Sequence, residues 1–142
     1  MQRLIKKALS FYAFGFGLGW IKIMPGTWGT LPALPIAWLL MDMGVVIQCC
    51  AYVILFAISY IAADIAGKAL GDSDHKSIVC DEIIGILPAL LTFPISRWLA
   101  VFVLFRIIDI VKPWPISYVD KNIKGPIGCI FDDVLAGVAS CL

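Results

Sequence analysis

The stretch Leu31–Ala63, LPALPIAWLLMDMGVVIQCCAYVILFAISYIAA, decides the architecture. It holds two apolar runs, Leu31–Met41 and Val45–Ala63, separated only by Asp42-Met43-Gly44. A short Gly-containing break between such runs reads as a tight turn, so the pair predicts a helical hairpin that leaves and returns to one side. Beyond it, Ile83–Phe93 and Arg97–Val111 form a second apolar pair, broken at Pro94-Ile95-Ser96. Ile127–Leu142 is apolar around one Asp-Asp pair, while Gly67–Val79 and Lys112–Gly125 are polar. The prediction is one all-α domain over residues 1–142, a compact membrane-embedded helical bundle built from helical hairpins.

Composition supports that reading. The chain is 61% hydrophobic and 15% charged, with a mean hydropathy of +0.96. Apolar content is well above the roughly 45–50% of soluble domains. A net charge of +1, without a Lys/Arg stripe interleaved with aromatics, excludes an electrostatic nucleic-acid binder. The basic N-terminus (Arg3, Lys6, Lys7) lacks a following small-residue cleavage site and is expected to stay cytoplasmic. Both hairpin tips then point away from it. The polar segments, with Lys68, Lys76, Arg106, Lys112, Lys121 and Lys124, gather on one cytoplasmic face. Some runs are shorter than the about 20 residues of a full span. Cys49, Cys50, Cys80, Cys129 and Cys141 show no CxxC spacing and read as small buried hydrophobes.

The acidic residues carry the chemistry. Asp64, Asp72, Asp74, Asp81, Glu82, Asp109, Asp132 and Asp133 sit at the edges of apolar segments. Carboxylates beside an apolar phase are costly unless paired, solvated or bound to a cation. Brought together they repel, and a divalent ion is the usual remedy. Cys80-Asp81-Glu82-Ile83-Ile84-Gly85 opens an apolar helix with two carboxylates where capping needs one. Asp132-Asp133-Val134-Leu135-Ala136-Gly137 is read as a second acidic pair at a helix start. Asp81, Glu82, Asp132 and Asp133 are thus the candidate metal ligands.

Cationic partners follow. Arg106, Asp109 and Lys112 recur at i, i+3 and i+6 at a helix end that Pro113 terminates. There Arg106 can clamp a phosphate and Lys112 add a point charge, or both can snorkel at an interface. Pro25-Gly26-Thr27-Trp28-Gly29-Thr30 reads either as a capped turn, with Thr30 as N-cap of the next helix, or as an anion cradle through Gly26 and Thr27. Asp64 and Lys68 share a helix face, as surface ion pairs usually do. His75, the lone histidine, reads as a solvated loop residue. No Cys-x5-Arg loop, P-loop or Gly-x-Ser-x-Gly occurs, and Asp72-Ser73-Asp74 fits an aspartyl-nucleophile motif poorly.

Four stretches in order resemble the phosphatidylglycerophosphatase A family, from about Gly15 to Gly137. They are Pro25–Thr30, Asp74–Glu82 (DHKSIVCDE), Phe105–Pro115 (FRIIDIVKPWP) and Asp132–Gly137 (DDVLAG). The chain departs from the family pattern at Leu18, Ile21, Lys22 and Pro126. The resemblance implies a bacterial inner-membrane enzyme, multi-pass and active on its cytoplasmic face. It implies Mg2+-dependent hydrolysis of phosphatidylglycerol phosphate to phosphatidylglycerol and inorganic phosphate. Asp81, Glu82, Asp132 and Asp133 match the family's acidic motifs, and Lys76, Arg106 and Lys112 its basic positions. Asp64 and Asp109 match further acidic positions and are the candidate proton acceptors. A small membrane transporter and a non-catalytic lipid-binding subunit are the alternatives, and a homo-oligomer is left open.

Overall fold

Apolar runs punctuated by Pro and Gly give eight α-helices and two 3-10 turns in the computed structural model, which describes residues 1–72 and 75–141. The helices are α1 (Gln2–Ala13), α2 (Pro25–Thr30), α3 (Ala33–Leu40), α4 (Val45–Leu70), α5 (Cys80–Thr92), α6 (Trp98–Val111), α7 (Ile116–Asn122) and α8 (Pro126–Ser140). The 3-10 turns are Leu18–Trp20 and Ile95–Arg97, and there is no strand among the described residues. Ser73, Asp74 and Leu142 lie outside the described residues, so Asp72-Ser73-Asp74 is described only at its first position.

The predicted hairpin is present as α3 and α4. Its turn closes where the Met43 amide donates to the Leu40 carbonyl at 3.0 Å. The Gln48 side-chain amide then ties the end of α3 down, donating to the carbonyls of Leu40 and Met43. This satisfies orphan carbonyls at a helix end. The second pair is α5 and α6, with the Ile95–Arg97 turn at the Pro94 break.

α5 is the central helix, packed against α3, α4 and most extensively α8. Ile83, Ile86, Leu87 and Leu90 are fully buried there, with Phe105 of α6 and Ala136 of α8 completing the same core. Small residues let the neighbours approach: Ala33 and Ala37 on α3, Ala62, Ala63 and Ala66 on α4.

Three local expectations are corrected. Pro25–Thr30 is a helix rather than a turn, so Thr30 ends α2 instead of capping α3. α8 begins at Pro126, because Gly125 with φ +86° and a proline in the first turn start it early. Asp132 and Asp133 are therefore interior to α8, not at its start. Of the cysteines only Cys80 is buried; Cys49 and Cys50 lie on the exposed side of α4.

Among the described residues, α4 alone is long and apolar enough to cross a membrane. Its 26 residues extend about 39 Å at 1.5 Å per residue. The 13 to 15 residues of α5, α6 and α8 extend only about 20–22 Å, short of a hydrocarbon core of about 30 Å. Much of the apolar surface faces outward, including Val45, Val46, Val53 and Ile54 on α4 and Leu99, Ile107 and Ile110 on α6.

Candidate active site

The acidic residues converge because two helices meet through glycine. Asp81 and Gly85 lie one turn apart on α5, and Asp133 and Gly137 one turn apart on α8, so each carboxylate shares a face with its glycine. A Cβ on Gly85 would stand 2.6 Å from the Asp133 carbonyl oxygen, and one on Gly137 would overlap the Gly85 carbonyl. The backbones touch where side chains would otherwise hold them apart. The approach sets Asp81 and Glu82 beside Asp132 and Asp133 along one cleft of about 780 Å³. That volume suits a small-molecule or headgroup site.

Cationic arms reach in from α6 and its end. Arg106 Nη1 stands 2.6 Å from Asp109 Oδ2 and 3.4 Å from Glu82 Oε2. Lys112, the C-cap of α6, is held at φ +46°, a left-handed conformation uncommon outside glycine. From there its ammonium bridges Asp120 of α7 at 2.6 Å and Asp132 of α8 at 2.8 Å. Gly26 of α2 lines the same cleft, and a Cβ there would stand 2.9 Å from Arg106 Nη2 and crowd the Glu82 carboxylate. Thr30 adds a hydroxyl 2.6 Å from the Gly26 carbonyl and 3.1 Å from Glu82 Oε2.

Burial and crowding make these carboxyls reluctant acids. Burial, with the nearby Asp132 and Asp109, pushes Asp81 up to about 7. Burial and the adjacent Asp81 push Glu82 up to about 8, against the pull of Arg106. Burial raises Asp132 to about 6 although Lys112 opposes it. Asp133, buried beside Asp81 and Asp109, lies well above the usual carboxylate range. Lys112 is pushed up despite its burial by the two carboxylates it bridges, and Asp120 is pulled down by Lys112.

The cleft gathers Gly26, Lys76, Asp81, Glu82, Arg106, Asp109, Lys112, Asp132 and Asp133. Asp64 and Thr27 are not among its lining. Asp64 sits on α4 and accepts from Lys68 at 2.6 Å, the surface pair its spacing suggests. The Thr27 hydroxyl is buried without a hydrogen-bond partner among the described residues. His75, a partly exposed loop residue, also lines the cleft, its Nδ1 accepting from the Ser77 amide at 3.2 Å. Three contributors escaped the sequence reading: Asp120, the Thr30 hydroxyl and the Gly85–Gly137 contact. Only the glycines left a signal, their one-turn spacing from Asp81 and Asp133.

No group of three acidic, histidine or cysteine side chains among the described residues already stands at metal-coordinating distances. Two of the carboxylates are instead drawn to Arg106 and Lys112. The donor chemistry nonetheless suits a hard cation: all the acidic groups are oxygen donors, and their charges raise one another's proton affinity.

The phosphatidylglycerophosphatase A family model matches residues 11–142. The chain belongs to that family. A relative named phosphatidylglycerophosphatase A from Escherichia coli K12 is 41% identical over 138 residues, covering 90% of this chain and 76% of its own length. A relative of the same name from Haemophilus influenzae is 38% identical over 130 residues, covering 89% of this chain and 80% of its own. A Bacteroides thetaiotaomicron protein carrying a provisional phosphatidylinositol-3-phosphatase name is 38% identical over 135 residues, covering 89% and 84%. No solved structure matches the chain. The matched span takes in every family stretch quoted from the sequence, including both acidic pairs and the Arg106–Pro115 segment.

Proposed function

We propose that this chain is a membrane-associated lipid phosphatase that removes the terminal phosphate of phosphatidylglycerol phosphate, with Mg2+ as cofactor. The observation that carries the reading is the convergence of Asp81, Glu82, Asp132 and Asp133 with Arg106 and Lys112 on one cleft. A phosphomonoester needs this mixture, cations for its oxygens and carboxylates for a metal and a proton. Membership of a family whose named relatives are phosphatidylglycerophosphatases supports the substrate.

Asp81, Glu82, Asp132 and Asp133 are the residues that would hold Mg2+, through hard oxygen donors. Bound there, the ion would supply charge neutralisation for the phosphate and greater acidity for a nearby water. Arg106 orients the phosphate through paired N–H donors, a geometry Lys cannot reproduce. Lys112 and Lys76 add positive charge where the transition state is most negative. Asp109, hydrogen-bonded to Arg106 at 2.6 Å, accepts the proton of the attacking water; Asp64, engaged with Lys68, is a less suitable base. Gly26 keeps the α2 backbone clear of the Glu82–Arg106 contact. Attack by an aspartate carboxylate is the competing route, and solvent oxygen-18 separates the two.

The exposed apolar surface of α4 and α6 supports a place in the bilayer. We assign α4 to a span of the bacterial inner membrane, with the shorter helices seated at the cytoplasmic interface around the cleft.

The deciding experiment offers purified protein two lipids in detergent, phosphatidylglycerol phosphate and phosphatidylinositol 3-phosphate, and reads released phosphate. Faster release from the first supports the assignment. Release from the second alone transfers it to inositol lipids, and release from neither overturns it.

A further inference from the structure

A second concavity lies between α1 and α4 and shares no residue with the catalytic cleft. Its rim carries Arg3, Lys6 and Lys7 from α1 and Lys68 from the last turn of α4. Its floor is mostly apolar, formed by Phe11, Phe14, Ile65 and Ala69 with the single hydroxyl of Ser10. We propose that this groove binds one anionic phospholipid of the surrounding bilayer, headgroup among the cations and acyl chain along the floor, as a non-catalytic site.

Charge complementarity identifies the occupant. α1 (QRLIKKALSFYA) holds three cations and no acid. Lys68 is paired with Asp64, but Arg3, Lys6 and Lys7 enter no ion pair among the described residues. Three unneutralised cations within two turns of a helix attract an anionic membrane surface. A soluble phosphate would need no apolar floor, whereas a lipid uses both halves of the groove. One turn along α4 from Ile65, the exposed Ile61 extends that floor toward the middle of the candidate span.

The groove also sits near the catalytic machinery without being part of it. The Val79 amide, two residues before Asp81, donates to the Ala13 carbonyl at the end of α1 at 2.8 Å. A lipid held by α1 would thus lie beside the cleft without entering it. The inference rests on the membrane half of the proposed function and not on its substrate.

Native mass spectrometry of the full chain in neutral detergent tests it, offering phosphatidylserine and phosphatidylcholine in equal amounts. Phosphatidylserine is anionic but is neither substrate nor product. The wild type should retain phosphatidylserine preferentially. Each cation near an anionic surface contributes about fivefold in affinity, so R3Q/K6Q/K7Q should lose at least about tenfold and the charge-preserving R3K/K6R/K7R should not. Arg106→Gln, in the cleft, should keep the preference. Equal retention of both lipids by the wild type, or undiminished preference in R3Q/K6Q/K7Q, overturns the proposal. Lost preference in Arg106→Gln also overturns it, by moving the lipid to the cleft. If R3Q/K6Q/K7Q does not fold, Arg3→Gln alone should still lower the preference, and an unchanged value again overturns the proposal. Phosphate release from phosphatidylglycerol phosphate, read on the same samples, should be equal in wild type and R3Q/K6Q/K7Q; its absence in both refutes the substrate assignment without touching the lipid readout.

Discussion

The backbone of Gly137 on α8 rests against the carbonyl of Gly85 on α5, with no room at residue 137 for a Cβ. This contact, rather than any ion pair, brings the two acidic motifs to one cleft. Gly137→Ala must push the helices apart, because the obstructing atom is backbone and cannot rotate away. Overpacking of this kind costs about 1–3 kcal/mol, and phosphate release should fall with the displaced carboxylates. Gly44→Ala is the control, since a Cβ there would meet no non-neighbouring atom within 4 Å among the described residues. Thermal unfolding and activity of the two variants check this; equal behaviour would mean the contact is dispensable.

Stability should depend on pH and cation together. Unfolded carboxyls ionise at about pH 4, whereas in the fold Asp132 does so at about 6, Asp81 at about 7 and Glu82 at about 8. Between these limits the folded chain binds more protons than the unfolded one, so stability falls as pH rises from about 4 to about 8. Mg2+ binding to the ionised cluster acts in the opposite sense, and its stabilisation should grow across the same window. Melting temperatures in EDTA and in Mg2+ should diverge with rising pH, and parallel curves would contradict a metal at this cluster.

Asp109 and Asp64 separate by location. Asp109 bridges into the cleft through Arg106 at 2.6 Å, while Asp64 pairs with Lys68 on α4. Asp109→Asn should lower kcat by about 10²–10⁴-fold, the usual contribution of a general base. Asp64→Asn should leave kcat within about twofold, since its ion pair with Lys68 is solvent-exposed and lies outside the cleft. Steady-state kinetics of both variants decide it, and the reverse order would move the base to α4.

Glu82 and Lys112 test the two charge types. Glu82→Gln keeps the hydrogen-bonding partner of Thr30 but removes a charge, so activity should drop and the Mg2+ concentration for half-maximal rate should rise. Lys112→Met leaves Asp132, buried to 5% exposure, without its cation; because the Lys112 side chain is itself 32% exposed, the loss should be about 1–3 kcal/mol, below that of a fully buried pair. Its kcat should therefore fall together with its stability. Unchanged Mg2+ dependence in a folded Glu82→Gln would remove that residue from the ligand set.

Much of this was legible in the chain because the signals were local. The α3–α4 hairpin follows from two apolar runs around Asp42–Gly44, and Asp81-Glu82 marks the start of α5 by the charge that a helix N-terminus favours. Pro113 ends α6 where expected. Tertiary facts were hidden. Nothing between residues 112 and 120 announces that Lys112 turns its ammonium to Asp120, because the turn depends on a left-handed backbone at a non-glycine residue. The hydroxyl of Thr30 resembled a cap, since capping and ligand-holding use the same residue types. Asp132-Asp133 looked terminal because the apolar residues following them outweighed the Gly125-Pro126 start signal upstream.

We propose that the cleft carboxylates hold Mg2+ against the substrate phosphate. The most direct measurement strips the purified protein with EDTA, supplies phosphatidylglycerol phosphate, and follows released phosphate as Mg2+ is titrated back. Release should vanish in EDTA and return with added Mg2+, at higher concentrations for Glu82→Gln than for wild type. Full-rate release in EDTA would mean that the carboxylates act without a metal.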